Sequence, residues 1–380
     1  MTRFNRIIEI DAANLVAEVE PGVITGRLQA AAEKQGLFYP PDPASRDFST
    51  LGGNVAENAG GTRAVKYGVT RDYVLGLTAV IGTGETIKTG VRTAKGVVGY
   101  DLTRLLVGSE GTLGIITHLI LRLVPKPEAT ETVVAYFKDL TDAAKTVAAL
   151  TAAKVVPATL EFMDQSAIAC VEQYLQMGLD LTAGALLLIE TDGPTAQAKA
   201  EAEIVTTFCK RNEAISVRRA ESHAEAEAMW QARRVLGSAV FRLASGKMNE
   251  DIVVPRSRIP EMIERAAQVS RQLGLRIINF GHAGDGNIHV CVMYEAADPL
   301  EVARAKVAVK DIFAHTLELG GTISGEHGIG TAKKDFIGLE ISREGLELME
   351  RIKAAFDPDG IMNPGKIFPP KETRLAVEQD

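Results

Sequence analysis

The sequence predicts an α+β protein, and three observations carry that prediction. Residues 1–126 are rich in glycine and mix short apolar runs with loops. From residue 131 onward, apolar runs alternate with alanine-rich amphipathic stretches of helical length. Between the two, Pro125-Lys-Pro127 stops a long apolar run and marks a boundary. At 380 residues the chain can fill two or three cores. The expected organisation is a domain over 1–126, a second over 127–320 with an antiparallel sheet and helices on one face, and a C-terminal segment over 321–380.

The elements follow in order. Residues 7–10 and 15–19 read as a hairpin around Asp11-Ala-Ala-Asn14. Residues 25–34 read as a helix with Thr25 as N-cap. Pro40-Pro-Asp-Pro43 then opens a long glycine-rich loop. Residues 73–81 and 86–89 bracket the turn Gly82-Thr-Gly-Glu85, and 113–124 form a strand. In the second half, strands are expected at 131–137, 159–163, 185–190 and 215–218. Helices are expected at 140–153, 165–177, 195–211 and from 221 to about 245, the last by its unbroken helical period. A final amphipathic helix spans 341–355, stopped by Asp357-Pro358 and Asn363-Pro-Gly-Lys366. No internal repeat or low-complexity segment interrupts this pattern.

Bulk properties exclude several classes. A net charge of −7 and a pI near 5.6 argue against nucleic acid as a partner. The longest apolar run, 185–189, is far too short for a transmembrane helix, and the N-terminus lacks a signal-peptide core. Cys170, Cys209 and Cys291 are scattered, with no Cys-x-x-Cys. They suit buried positions in a reducing cytoplasm and exclude a cysteine-bound iron–sulfur cluster in this chain.

The chemistry concentrates in two segments. In His282-Ala-Gly-Asp-Gly-Asn-Ile-His289, Asp285-Gly286 is a strong two-residue turn signal between apolar runs 275–280 and 288–294. A turn centred there sets His282 opposite His289, with Cβ atoms about 5 Å apart. Forty residues later comes Ser324-Gly-Glu326-His327-Gly-Ile-Gly330. The chain has six histidines, and three of them lie here. Two imidazoles and a carboxylate suit zinc first, with Fe(II) or Mn(II) behind it, and three protein ligands leave an open position for catalysis.

The loop over 50–61 is rich in glycine, which lets backbone amides approach a ligand. By itself it is an ordinary turn signal. The segment 99–117 reads as a short helix, a tight turn at 108–114 and a strand. Neither 108–114 nor 325–330 matches a dinucleotide fingerprint or a P-loop, and no His-Glu-x-x-His is present.

Taken together, segments 50–61, 99–117, 281–289, 325–330 and 363–368 resemble the FAD-linked oxidases of the vanillyl-alcohol oxidase superfamily. The resemblance is to the branch with the glycolate oxidase flavin subunit, D-lactate dehydrogenase and D-2-hydroxyglutarate dehydrogenase. It implies a partial FAD-binding domain of that type, a ferredoxin-like α+β cap domain for the substrate, and a C-terminal helical segment returning to the flavin. It places Gly52, Gly53, Asn54, Glu110, Gly111, Ile116 and Asn363 against FAD. His282, His289 and Glu326 match the family's metal ligands, and His327 matches the residue between substrate and flavin. The implied reaction is oxidation of a D-2-hydroxy acid to the 2-oxo acid, with His327 as general base. Arg233 is a candidate clamp for the substrate carboxylate, against the alternative of a solvated helix face. Lys247 reads as structural.

The implied partners are a small 2-hydroxy acid and an iron–sulfur, quinone or cytochrome electron acceptor. A homodimer and a cytoplasmic location, peripheral to the inner face of the membrane through that acceptor, also fit. The family's upstream glycine-rich subdomain, which cradles the FAD pyrophosphate, has no counterpart before Asn5-Arg-Ile-Ile-Glu-Ile10. The chain is therefore expected to retain flavin poorly and to have a less stable N-terminal third. A non-catalytic subunit and a metal-dependent hydrolase remain as alternatives.

Overall fold

The computed structural model describes residues 3–370 and divides into two units. The first comprises Met1–Gly61, Tyr67–Lys126 and Glu326–Asp380; the second comprises Thr62–Lys66 and Pro127–Gly325. The segment after 320 thus splits at Gly325, and five residues near 64 leave the first unit for the second.

The first unit holds a five-stranded antiparallel sheet. Its strands are β1 (Ile7–Asp11), β2 (Val16–Val19), β4 (Val74–Val80), β5 (Thr86–Gly90) and β6 (Ile115–Arg122), in the order β1-β2-β6-β4-β5. A small pair joins β3 (Leu37–Phe38) to β7 (Val124–Pro125). Helices α1 (Thr25–Glu33), α2 (Leu51–Glu57), α4 (Leu102–Leu106) and α12 (Arg343–Phe356) belong to it, and α3 (Ala64–Tyr67) straddles the division. Its core gathers Val19, Leu28, Tyr39, Leu51, Leu77 and Leu119.

Two local readings change. Thr25 does not cap α1: Ile24 occupies that position, and Thr25 Oγ1 instead meets Ser49 Oγ at 2.9 Å. The glycine-rich stretch after residue 50 is not all loop, because α2 forms inside it. Thr50 caps that helix by accepting from the Gly53 N–H at 3.2 Å. Leu51, Asn54 and Val55 turn inward at helical spacing, and Asn58 ends the helix with φ of 54°.

The second unit is built on a seven-stranded antiparallel sheet. Its strands are β8 (Ala129–Phe137), β9 (Thr159–Asp164), β10 (Ala185–Gly193), β11 (Ala214–Arg219), β12 (Gly246–Val253), β13 (Arg276–His282) and β14 (Asn287–Tyr294). Their order is β11-β8-β10-β9-β13-β14-β12. Both faces carry helices, where one was expected. On one lie α5 (Leu140–Ala152), α7 (Thr195–Arg211), α10 (Ile259–Leu273) and α11 (Pro299–Glu318). On the other lie α6 (Gln165–Leu175), α8 (His223–Arg234) and α9 (Leu236–Ala239), packed over Met163, Leu186, Leu188, Ile278 and Phe280.

The reason is in the strands. Alternate residues of β9, β10 and β13 are apolar on both sides, so either face left bare would expose core. The single helix expected from 221 to about 245 is broken at Val235, just before Gly237-Ser238, and ends in a 3₁₀ turn over Val240–Arg242. Cys170, Cys209 and Cys291 are buried and unpaired as thiols, and burial pushes Cys209 and Cys291 up to about 12.

Candidate functional site

In the second unit a polar patch interrupts an apolar sheet face. Glu161 on β9 lies opposite His282 on β13, His282 opposite Asn287 on β14, and His289 on β14 opposite Asp251 on β12. Directly opposed and i,i+2 residues share a face. Four neighbouring strands therefore present Glu161, His282, Asn287, His289 and Asp251 on the same side.

The histidine pairing differs from the expectation. His289 faces Phe280, and His282 meets His289 on the diagonal, with ring centroids 5.4 Å apart. A two-residue I′ turn needs positive φ at both Asp285 and Gly286, and only Gly286 has it, at 89°. A four-residue loop over 283–286 forms instead. Its Asp285 and Gly286 N–H groups donate to His282 O at 3.3 and 3.0 Å. Gly286 O accepts from Val254 N at 3.0 Å, and a Cβ at 286 would come within 2.0 Å of Val254 O. This docking needs a glycine and fixes the longer loop.

Glu161 organises the patch. It is fully buried; one oxygen lies 2.6 Å from His282 Nδ1, and the other accepts from Arg233 Nε at 2.7 Å. Burial alone would raise its carboxyl, but the attraction of His282 and Arg233 outweighs that and holds it below the usual range. Arg233 is buried on α8, not on a solvated face, and stacks over Phe280 at 4.9 Å. Among the described residues its Nη groups meet no acceptor. Asp251 is also buried. It accepts from Asn287 Nδ2 at 2.6 Å and from Gly325 N at 3.0 Å. The sequence reading missed Glu161 and Asp251. A carboxylate inside the apolar run Leu160-Glu-Phe-Met163 was the available signal for the first.

The first unit gathers a different group. Glu110 sits at the 108–114 turn with φ of 52°. Its N–H donates to Ala56 O at 2.8 Å, and its carbonyl accepts from Asn363 Nδ2 at 2.5 Å. Its buried carboxylate accepts from Ile329 N and Gly330 N, each at 2.7 Å. Glu110, Gly111 and Asn363 thus come together, as do Glu326 and Gly60: a Cβ at 60 would come within 2.7 Å of Glu326 Oε2. His327 Nε2 lies 3.9 Å from Glu326 Oε1.

Other expected cofactor residues have structural partners. Asn54 Nδ2 donates to Thr25 Oγ1 at 2.8 Å. Gly52 is pressed on Pro21, where a Cβ would come within 2.5 Å of Pro21 Cβ. Ile116 lies on β6 opposite Ala79, and Gly53 is exposed. Val97, Val98 and Tyr100, just before α4, are almost fully exposed.

Comparison with known proteins gives this geometry its setting. The model of the FAD-linked oxidase C-terminal domain matches residues 126–367, and that of an FAD binding domain matches residues 1–90. The chain belongs to the FAD-linked oxidase family. Within it, the chain is 48% identical to glycolate oxidase subunit GlcD of Bacillus subtilis, over 98% of this chain and 79% of the relative. It is 38% identical to D-lactate dehydrogenase of Anaerostipes hadrus, over 97% and 79% respectively. Among solved structures, p-cresol methylhydroxylase matches with a TM-score of 0.76 at 18% identity, covering 97% of this chain and 78% of that one. A 4-ethylphenol oxidase from Gulosibacter chungangensis matches with 0.74 at 20%, covering 97% and 80%. These last two show the fold alone, which this chain shares with them. Among the described residues of this FAD-linked oxidase, no helix is long and apolar enough to cross a membrane.

Proposed function

We propose that this FAD-linked oxidase converts a small D-2-hydroxy acid, of the size of glycolate or D-lactate, to the 2-oxo acid. The observation that carries the proposal is the buried Glu161 bridge between His282 and Arg233. It prepares an imidazole and a guanidinium on one carboxylate, within a polar patch that also holds Asn287, His289 and Asp251. The names of the glycolate oxidase and D-lactate dehydrogenase relatives supply the substrate class.

A metal suits the donor set. A ligating histidine characteristically gives its second ring nitrogen to a carboxylate, which fixes tautomer and orientation, and Glu161 does this for His282. His282 and His289 would hold the ion, with Glu326 as third ligand. The chain continues into Glu326 directly from Gly325, whose N–H Asp251 holds. Zinc fits two imidazoles and a carboxylate, with Fe(II) or Mn(II) as weaker choices. The residues around Glu110, Gly111 and Asn363, with the exposed apolar run at 97–100, offer the first unit's surface to a flavin ring. Bound there, FAD supplies the two-electron acceptor, and the metal supplies Lewis acidity toward the hydroxyl.

The chain's own residues do the rest. Arg233 pairs its Nη groups with the substrate carboxylate, fixing which face of C2 is presented. His327 takes the hydroxyl proton at an imidazole nitrogen. Glu161 holds Arg233 in place for the carboxylate and His282 in place for the ion.

The test supplies FAD and an artificial electron acceptor to the purified chain. Turnover with D- but not L-lactate is expected, with about one divalent ion per chain by elemental analysis. His282→Ala should lose the ion; His327→Ala should keep it and lose about 10²–10⁴-fold in kcat. Equal turnover of both enantiomers, or none with bound FAD and metal, would overturn the proposal.

A further inference from the structure

We infer that the Glu110 carboxylate is a positioning residue for His327. This rests on the proposed reading of His327 as the base. In the glycine-rich segment after it, 328 and 330 are both glycine with positive φ, 73° and 50°, and Ile329 packs on the apolar cluster of Ile337, Leu346 and Ile367. Its backbone is held as well. Glu110 takes the N–H groups of Ile329 and Gly330 on its two oxygens at 2.7 Å each, 219 and 220 residues away in sequence. Charged hydrogen bonds of this length are the strong kind.

The clamp is itself fixed from three sides. The Glu110 N–H is bonded to Ala56 of α2, its carbonyl is bonded by Asn363, and Gly330 O accepts from Ile367 N at 3.0 Å. Gly328 fits the space left between carboxylates: a Cβ there would come within 2.8 Å of Glu110 Oε1 and 2.7 Å of Glu57 Oε2. His327 is one residue before Gly328 and two before the clamped Ile329. A shift in the clamp is a shift in the imidazole, and a displacement of about 1 Å can cost about 10²-fold in rate.

Glu110→Gln tests this in the full chain with FAD supplied. The amide keeps the shape and one acceptor, but turns an NH₂ toward a backbone N–H. The expected result is a kcat lower by about 10²-fold with KM within about twofold of the parent. In hydrogen exchange, the peptide covering 327–331 should lose protection while α2 keeps it. The double variant Glu110→Gln with His327→Ala should be no slower than His327→Ala alone, because both act through one group. Parental kcat in Glu110→Gln beside a crippled His327→Ala, or additive losses in the double variant, would overturn the inference. An active His327→Ala would instead remove the base assignment. Exchange at 327–331 then decides the clamp by itself: unchanged protection overturns it and lost protection upholds it. Should Glu110→Gln fail to fold, Glu110→Asp withdraws the same charge by one methylene and is read identically.

Discussion

Two buried glutamates organise the two units, and they do so by opposite means. Glu161 binds side chains, those of His282 and Arg233, whose attraction outweighs its burial and holds its carboxyl below the usual range. Glu110 binds backbone N–H groups of a glycine loop and makes no ion pair among the described residues. The first arrangement orients side chains carried by rigid elements, His282 on β13 and Arg233 on α8. The second ties the backbone of a glycine-rich loop in which Ile329 packs on an apolar cluster. The difference teaches that an anchor is matched to what it must hold: regular strands and helices need only their side chains aimed, whereas a glycine loop needs its backbone tied.

The comparison can be broken first at Glu161. Glu161→Ala leaves Arg233 buried without its carboxylate, and removing one partner of such a pair costs about 3–5 kcal/mol. Urea unfolding followed at Trp230, whose Nε1 donates to Glu190 in the same unit, should show that loss. The metal should bind about 10–100-fold more weakly once His282 loses its carboxylate. A variant as stable as the parent would mean that Arg233 finds another partner and that the bridge is incidental.

The Glu110 side is sharpened at the helix it rests on. Thr50→Ala removes the cap of α2 and should cost about 1 kcal/mol, confined to the first unit. Thr50→Gly should recover most of this loss. Equal stability of both substitutions with the parent would show that α2 is held by its packing alone.

The smallest effect concerns Glu57, which burial and then the charge of Glu110 push up to about 7. Its ordinary value is 4.5. Between these values the folded chain holds a proton that the unfolded chain has lost. Stability therefore falls as pH rises through this window. Glu57→Gln should flatten that fall. It should gain no more than about 1 kcal/mol above pH 7, because solvent screens the pair, and nothing below the ordinary carboxylate range. Melting temperatures of both proteins at pH 5 and pH 8 measure it, and parallel curves would show that Glu57 titrates normally.

Much of the fold was legible because its elements repeat one pattern. Helix α7 was read to its observed ends, Thr195–Arg211, because alanines and apolar residues recur at helical spacing over its whole length. The unread parts have physical causes. Strand β12, Gly246–Val253, received no assignment, since Lys247-Met-Asn-Glu-Asp251 shows no apolar alternation. Its polar residues serve the patch, and local rules fail where a site displaces core. Helices α10 and α11 also went unassigned, although Pro260 and Gly274 bracket the first and Asp298-Pro299 opens the second. The histidine register was misjudged by two residues because the docking of Gly286 on Val254 is tertiary, and no turn dipeptide encodes it. Within the candidate site, His282 and His289 were visible as neighbours across a turn, and Arg233 only as a separate candidate clamp. Glu161, which joins two of them, lies 121 residues before His282 and 72 before Arg233, and only the sheet order brings it there.

The division of the chain bears on the order in which the protein can be assembled. The second unit is continuous over Pro127–Gly325 apart from five earlier residues, whereas the first needs Glu326 onward to be complete. On a chain made from its N-terminus, domains generally fold as units as they emerge. Here the first unit has its whole five-stranded sheet and its buried core by Leu123, and lacks only the segment from Glu326 onward. Until Ile329 and Gly330 have left the ribosome, the Glu110 carboxylate has no loop to hold, so the clamp forms after the sheet beneath it.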